Sequence, residues 1–75
     1  MVKAKVTLKF TNPNGTHEKK TYTVQMNSIS NSEAYHKAYK KYFEKNKESC
    51  ENPLSPNYHR PCELDTVRIV EVLNN

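Results

Sequence analysis

The first part of the chain alternates strictly between apolar and polar side chains. Apolar residues occupy every second position from Val2 to Phe10, and lysines and threonines fill the positions between them. A period of two residues predicts a β-strand over Val2–Thr11, with one face on a core and the other in solvent. The strand should end at Asn12-Pro13-Asn14-Gly15, because proline breaks the ladder and Asn-Gly readily adopts the positive φ of a hairpin turn.

A second alternating segment follows the turn. Tyr22, Val24 and Met26 are separated by polar residues, so residues 18–26 are predicted to form the second strand of a β-hairpin. As an edge strand it could pair with a strand of a partner protein or with a second copy of the chain, forming a homodimer.

The pattern then changes to a helical period. Ser30 followed by Glu33 is a capping box, which predicts that a helix begins here. Apolar and aromatic residues then recur with helical spacing until the helix ends near Glu48. They form one stripe, predicted to face the core, that consists of Ala34, Tyr35, Ala38, Tyr39, Tyr42 and Phe43.

Residues 49–63 contain Pro53, Pro56 and Pro61, so we predict a long loop without helix or central strand. A third strand is predicted over residues 64–73. Its alternation slips at Ile69-Val70, which indicates either a β-bulge or a strand that is apolar on both faces.

The resulting order β-β-α-β predicts an α+β fold: a three-stranded sheet with strand 1 in the centre and one helix packed on one face. Whether strand 3 runs parallel or antiparallel to strand 1 is left open by the pattern.

Composition narrows the function classes. The chain has 75 residues, enough for one small domain over 1–75, and its charge is 12 − 8 = +4. A single glycine excludes glycine-rich phosphate loops, and no apolar run reaches the roughly 20 residues of a membrane span. The carboxylates are scattered, so we expect a non-catalytic protein without a cofactor. Because the N-terminal segment alternates and forms no signal-type apolar block, we expect a cytoplasmic protein.

The polar face of strand 1 is basic. Lys3, Lys5 and Lys9, with Lys19 and Lys20 of strand 2, would form a cationic surface for RNA, DNA or an acidic protein. Alternatively, these lysines only keep an uncovered sheet face soluble. This face carries no aromatic side chains, which counts against base-stacking recognition of RNA.

The proline-rich loop carries two candidate sites. Cys50, His59 and Cys62 could bind zinc with a fourth ligand, Cys50 and Cys62 could form a disulfide, or both thiols could be free. Asn57, Tyr58, His59 and Arg60 lie at the loop tip. Because tyrosine and arginine often dominate protein interfaces, these four residues are predicted to bind a partner protein.

The chain resembles small β-β-α-β proteins of phages and plasmids in three features: the lysine-alternating hairpin, the segment SNSEAYHKA at 30–38, and the closing VRIVEV at 67–72. A small archaeal ribosomal protein has a similar skeleton. The resemblance implies a mobile-element inhibitor that occludes a host protein by direct contact in the host cytoplasm. The alternative is a sequence-independent RNA- or DNA-binding protein.

Overall fold

The computed structural model describes residues 1–55, 57–58 and 60–72. The elements are β1 (Val2–Thr11), β2 (His17–Met26), α1 (Asn31–Lys45), α2 (Lys47–Glu51) and β3 (Cys62–Val72). The order of the main elements is β-β-α-β, and the fold is α+β as predicted.

The strands form one sheet in the order β2-β1-β3. Strand β1 is central, as predicted, and both neighbours are antiparallel to it, which settles the direction of β3. The hairpin turn also matches the prediction, because Gly15 has φ 85 and its amide donates to the Asn12 carbonyl at 2.9 Å.

Helix α1 begins where the sequence indicates. The Ser30 side chain accepts a hydrogen bond from the Glu33 amide at 3.3 Å, which satisfies one of the free donors of the first turn. The helix packs its apolar stripe, except for Phe43, on one face of the sheet. The buried core consists of Val2, Ala4, Val6, Leu8, Phe10, Val24, Met26, Ala34, Ala38 and Tyr42, with Tyr35 and Tyr39 half-buried against it.

Three boundaries differ from the prediction. Helix α1 ends at Lys45 instead of near Glu48, and Asn46 separates it from α2. Residues 49–51 belong to α2 instead of the loop, because Pro53 is the first of the three prolines and restricts only the residues next to it. Strand β3 begins at Cys62, two residues earlier than predicted, where it pairs with Phe10. Its predicted last residue, Leu73, lies outside the described residues.

Strand β3 contains two bulges, at Asp65 and Val70. The partners of Leu8 and Thr7 are Leu64 and Thr66, and the partners of Ala4 and Lys3 are Ile69 and Glu71, so one residue is extra at each place. The second bulge explains the slip in the sequence pattern. The β3 residues that pack against the core are Cys62, Leu64, Val67 and Ile69, whereas Val70 and Val72 are exposed.

None of the helices in the described part of the chain is long and apolar enough to cross a membrane.

Candidate binding surfaces

Arg60 fastens the proline-rich loop to the hairpin. Its Nη1 donates to Asn57 Oδ1 at 3.0 Å, and its Nη2 donates to Asn12 Oδ1 and to Glu18 Oε2, the latter at 2.9 Å. The guanidinium lies over the Phe10 ring, 5.0 Å from the ring centre, and the side chain is only 5% exposed. The contact with Arg60 lowers the pKa of the Glu18 carboxyl. Arg60 therefore joins the end of the loop to both ends of the hairpin turn.

The four residues predicted at the loop tip differ in their surroundings. Arg60 and Asn57 are engaged inside the fold, the latter also through a hydrogen bond from its Nδ2 to Ser49 Oγ at 3.0 Å. Their side chains hold the loop against the hairpin and α2. Tyr58 is 40% exposed, and His59 lies outside the described residues.

The loop also presents a residue that the sequence analysis did not select. Leu54 is 93% exposed, the largest exposure among the large apolar side chains of the described residues. The local turn holds it outward, since the Leu54 amide donates to Asn52 Oδ1 at 3.0 Å. The sequence signal that could have identified Leu54 is its position between two prolines in a polar loop.

The five predicted lysines do not form one surface. Lys20 pairs with Leu8 and lies on the helix side of the sheet, 5.7 Å from the centre of the Tyr42 ring. Lys9 and Lys19 lie on the outer face, where they form ion pairs with Glu63 at 3.0 Å and Asp65 at 3.3 Å. The predicted patch is thereby reduced to Lys3 and Lys5.

The register adds one cation that the sequence analysis missed. Arg68 is the direct cross-strand neighbour of Lys5, and neither side chain forms an ion pair with any described residue. Like charges directly opposite each other are destabilising, so this pair is a candidate anion site. We define Lys3, Lys5 and Arg68 as the basic face. No local sequence signal marks Arg68, because the two bulges decide which way it points.

The cysteines are free thiols. Both Cys50 and Cys62 are half-buried and pack against the core. Burial raises the pKa of the Cys62 thiol, which makes it a poorer nucleophile at neutral pH. Among the described residues no group of three His, Cys, Asp or Glu side chains could hold a metal ion. The third predicted ligand, His59, lies outside those residues.

Two tyrosines of α1 are unusually weak acids. The pKa of Tyr42 is raised to about 12, mainly by burial and secondly by the contact with the Cys50 thiol, whereas Arg60 lowers it. Burial, and then the hydrogen bond from the Tyr35 hydroxyl to the Cys62 carbonyl at 3.3 Å, raises the pKa of Tyr35 to about 12. The Tyr42 hydroxyl itself has no well-formed hydrogen bond to the described residues.

These shifts predict that stability falls at high pH. An unfolded tyrosine ionises near pH 10 and the folded ones near pH 12, so the folded state retains protons that the unfolded state loses. The contribution of these two tyrosines to folding stability is complete below about pH 10 and is lost as the pH rises through about 12. Urea unfolding midpoints measured across this range should fall less steeply for Tyr42→Phe than for the wild type. The exposed Tyr58→Phe serves as control, and identical slopes for wild type and Tyr42→Phe would contradict the prediction.

Searches of protein-family models, of curated proteins and of solved structures found no match to this chain.

Proposed function

We propose that the protein is a non-catalytic binding protein that acts by direct contact with another protein and occludes a site on it. The contact residues are Leu54 and Tyr58 on the proline-rich loop. The observation that carries the proposal is the combination of an anchored loop base with exposed apolar side chains at the loop surface.

An anchored loop favours binding for an entropic reason. A flexible loop loses conformational freedom when it binds, and that loss lowers the affinity. Here Arg60, Asn57 and the hydrogen bond from the Thr11 amide to the Pro61 carbonyl, at 3.0 Å, restrain the loop before any partner arrives. Burial of Leu54 at an interface would contribute about 1.5–3 kcal/mol, because it is almost fully exposed in the free protein.

An inhibitor role follows from the same surface in combination with the resemblance to proteins of phages and plasmids. A small protein can block a site on its partner simply by covering it. The role of mobile-element inhibitor rests on that resemblance, and the loop supplies the means of contact.

A second candidate function is sequence-independent binding of RNA or DNA by the basic face. It is favoured by the cross-strand pair of Lys5 and Arg68; Lys3 lies one row further along β1, where Glu71 of β3 is its cross-strand neighbour. Phosphates would relieve the repulsion between these two cations. The threonine row beside them offers hydroxyls, since Thr7 and Thr21 are joined by a hydrogen bond of 2.9 Å on the same face. Such binding would weaken steeply with salt.

One capture experiment distinguishes the two functions. Tagged protein is incubated with extract of the source organism, with and without nuclease, as wild type, as Leu54→Ser/Tyr58→Ala, and as Lys5→Glu/Arg68→Glu. The protein-binding function predicts a stoichiometric partner that survives nuclease, is retained by the charge variant and is lost with the loop variant.

The nucleic-acid function predicts the reverse pattern. Material captured by the wild type would be released by nuclease or by 0.5 M salt, and the charge variant would lose it while the loop variant kept it. Both variants change exposed residues, so circular dichroism should show unchanged folding. A nuclease-resistant partner that binds the loop variant as well as the wild type would contradict the proposed function.

A further inference from the structure

The outer edge of β2 is covered by lysines of α1. The Lys37 ammonium donates to the Gln25 carbonyl at 2.5 Å, and the Lys41 ammonium donates to the Thr23 carbonyl. Strand β2 is at the edge of the sheet, where backbone groups lack a strand partner. The two lysines therefore occupy acceptors that a further strand would otherwise use.

The helix and the strand share a spacing along this edge. Four residues of a helix rise about 6.0 Å, and two residues of a strand rise about 6.6–6.8 Å. Lys37 and Lys41 are four residues apart, and the carbonyls that they reach are two residues apart in the opposite direction. Continuing the same steps places Lys45 beside Thr21, and both line one depression at the surface.

That depression and a second one form a basic groove between α1 and β2. Their volumes are 520 Å³ and 270 Å³, and they share Lys41 and Glu44 in their linings. The groove is lined by Lys37, Lys40, Lys41 and Lys45 and by one acidic residue, Glu44, and Lys37 also forms an ion pair of 3.6 Å with Glu33 beside the groove. Lys40 and Lys45 form no hydrogen bond or ion pair with the part of the chain that the structure describes.

We propose that this groove binds an extended acidic peptide segment, which adds as a fourth strand to the β2 edge. Its backbone would pair with Thr21, Thr23 and Gln25, whose amides and carbonyls point to the same side in an antiparallel ladder. Carboxylates at every second position would face Lys37, Lys41 and Lys45. The site is separate from the proline-rich loop and does not depend on the function proposed for it.

The geometry favours a peptide strand over a nucleic acid for two reasons. The groove floor offers backbone acceptors in a row, which match the amide donors of a strand but repel phosphates. The lysines also recur at the side-chain spacing of a strand. In the free protein the same lysines protect the edge from neutral or basic strands. Such strands carry no carboxylates that could bind the lysines once these leave the β2 carbonyls.

The test uses a synthetic peptide, Thr-Glu-Val-Glu-Val-Glu-Thr, with blocked ends. Its affinity is measured by calorimetry, and hydrogen exchange of the β2 amides is measured by NMR. We expect saturable binding with slowed exchange at Thr21, Thr23 and Gln25. Lys41→Glu should weaken binding about tenfold, because the reversal replaces an ion pair with repulsion. Lys47→Glu, which makes the same change in net charge outside the groove, should alter it less than about twofold.

Two peptide controls address the strand geometry. A peptide of the same composition with adjacent glutamates, Thr-Glu-Glu-Glu-Val-Val-Thr, and a version methylated on the backbone amides that face β2 should each bind about tenfold more weakly. Equal affinity of either control would overturn strand addition.

Two other occupants would also overturn the proposal. Oligothymidylate that displaces the peptide and binds more tightly would identify the groove as a nucleic-acid site. Concentration-dependent self-association that Lys41→Glu abolishes would identify a second copy of the chain as the occupant. A failure of the peptide to bind would not change the result of the capture experiment with the loop variant. The two proposals can therefore be disproved independently.

Discussion

Replacement of Phe10 by alanine is expected to lower the free energy of unfolding by about 3–5 kcal/mol. The ring is completely buried, its centre lies 4.4 Å from that of Tyr42, and Arg60 covers it on the way to the hairpin turn. Truncation of a buried phenylalanine costs about 3–5 kcal/mol, because the cavity that it leaves is only partly filled. At about 0.05–0.15 kcal/mol per residue, a chain of this length has about 4–11 kcal/mol of stability in all.

Phe43→Ala is the matched control for this prediction. Phe43 is also an aromatic residue of the α1 stripe, but it is only half-buried and does not belong to the core cluster. Urea unfolding followed by circular dichroism should show a loss of about 1 kcal/mol or less for Phe43→Ala, within the usual range for partly exposed positions. Similar losses for both variants would show that the core does not centre on Phe10.

Arg60→Ala is expected to lower the free energy of unfolding by about 2–3 kcal/mol. The substitution removes a buried cation that donates to Asn12, Asn57 and Glu18 and that covers the Phe10 ring. Hydrogen bonds to a charged group contribute about 1.5–3 kcal/mol, and the loss leaves two amide oxygens without their donor. In a domain of this size the thermal midpoint should fall by about 10 °C or more.

The control for Arg60 is Arg68→Ala. Arg68 is exposed and has no ion pair with the described residues, so its removal should change stability by no more than about 0.5 kcal/mol. Arg60→Lys keeps the charge but loses the planar fork, and it should lie between wild type and Arg60→Ala. If Arg60→Ala unfolds at the same urea concentration as Arg68→Ala, the loop is not held by this contact.

The fold could be predicted from the sequence to a large extent because its signals are local. The two-residue period of β1, the Asn-Gly turn and the helical stripe after Ser30 each depend on residues close together in the chain. The central position of β1 followed from the need to cover that stripe with a sheet. The short helix α2 was missed because proline restricts only its immediate neighbours, and three prolines were interpreted as excluding helix over the whole segment.

The binding surfaces were less predictable because contacts between distant residues decide them. Arg60 was predicted to bind a partner protein from the loop tip, and its acceptors Asn12 and Glu18 lie 48 and 42 residues away in the sequence. The helix lysines alternate with glutamates along the chain, so they resemble an ordinary solvated face. Only the packing of α1 beside the β2 edge gathers Lys37, Lys41 and Lys45 along one groove.

By itself, the sequence determined the β-β-α-β order, the apolar face of the hairpin and the start of the helix, because these follow from periodicity and capping. The tertiary structure alone decided the direction of β3 and the face on which Arg68 lies. The physical reason is the register: one extra residue in a strand reverses the face of every side chain beyond it until a second bulge restores the alternation.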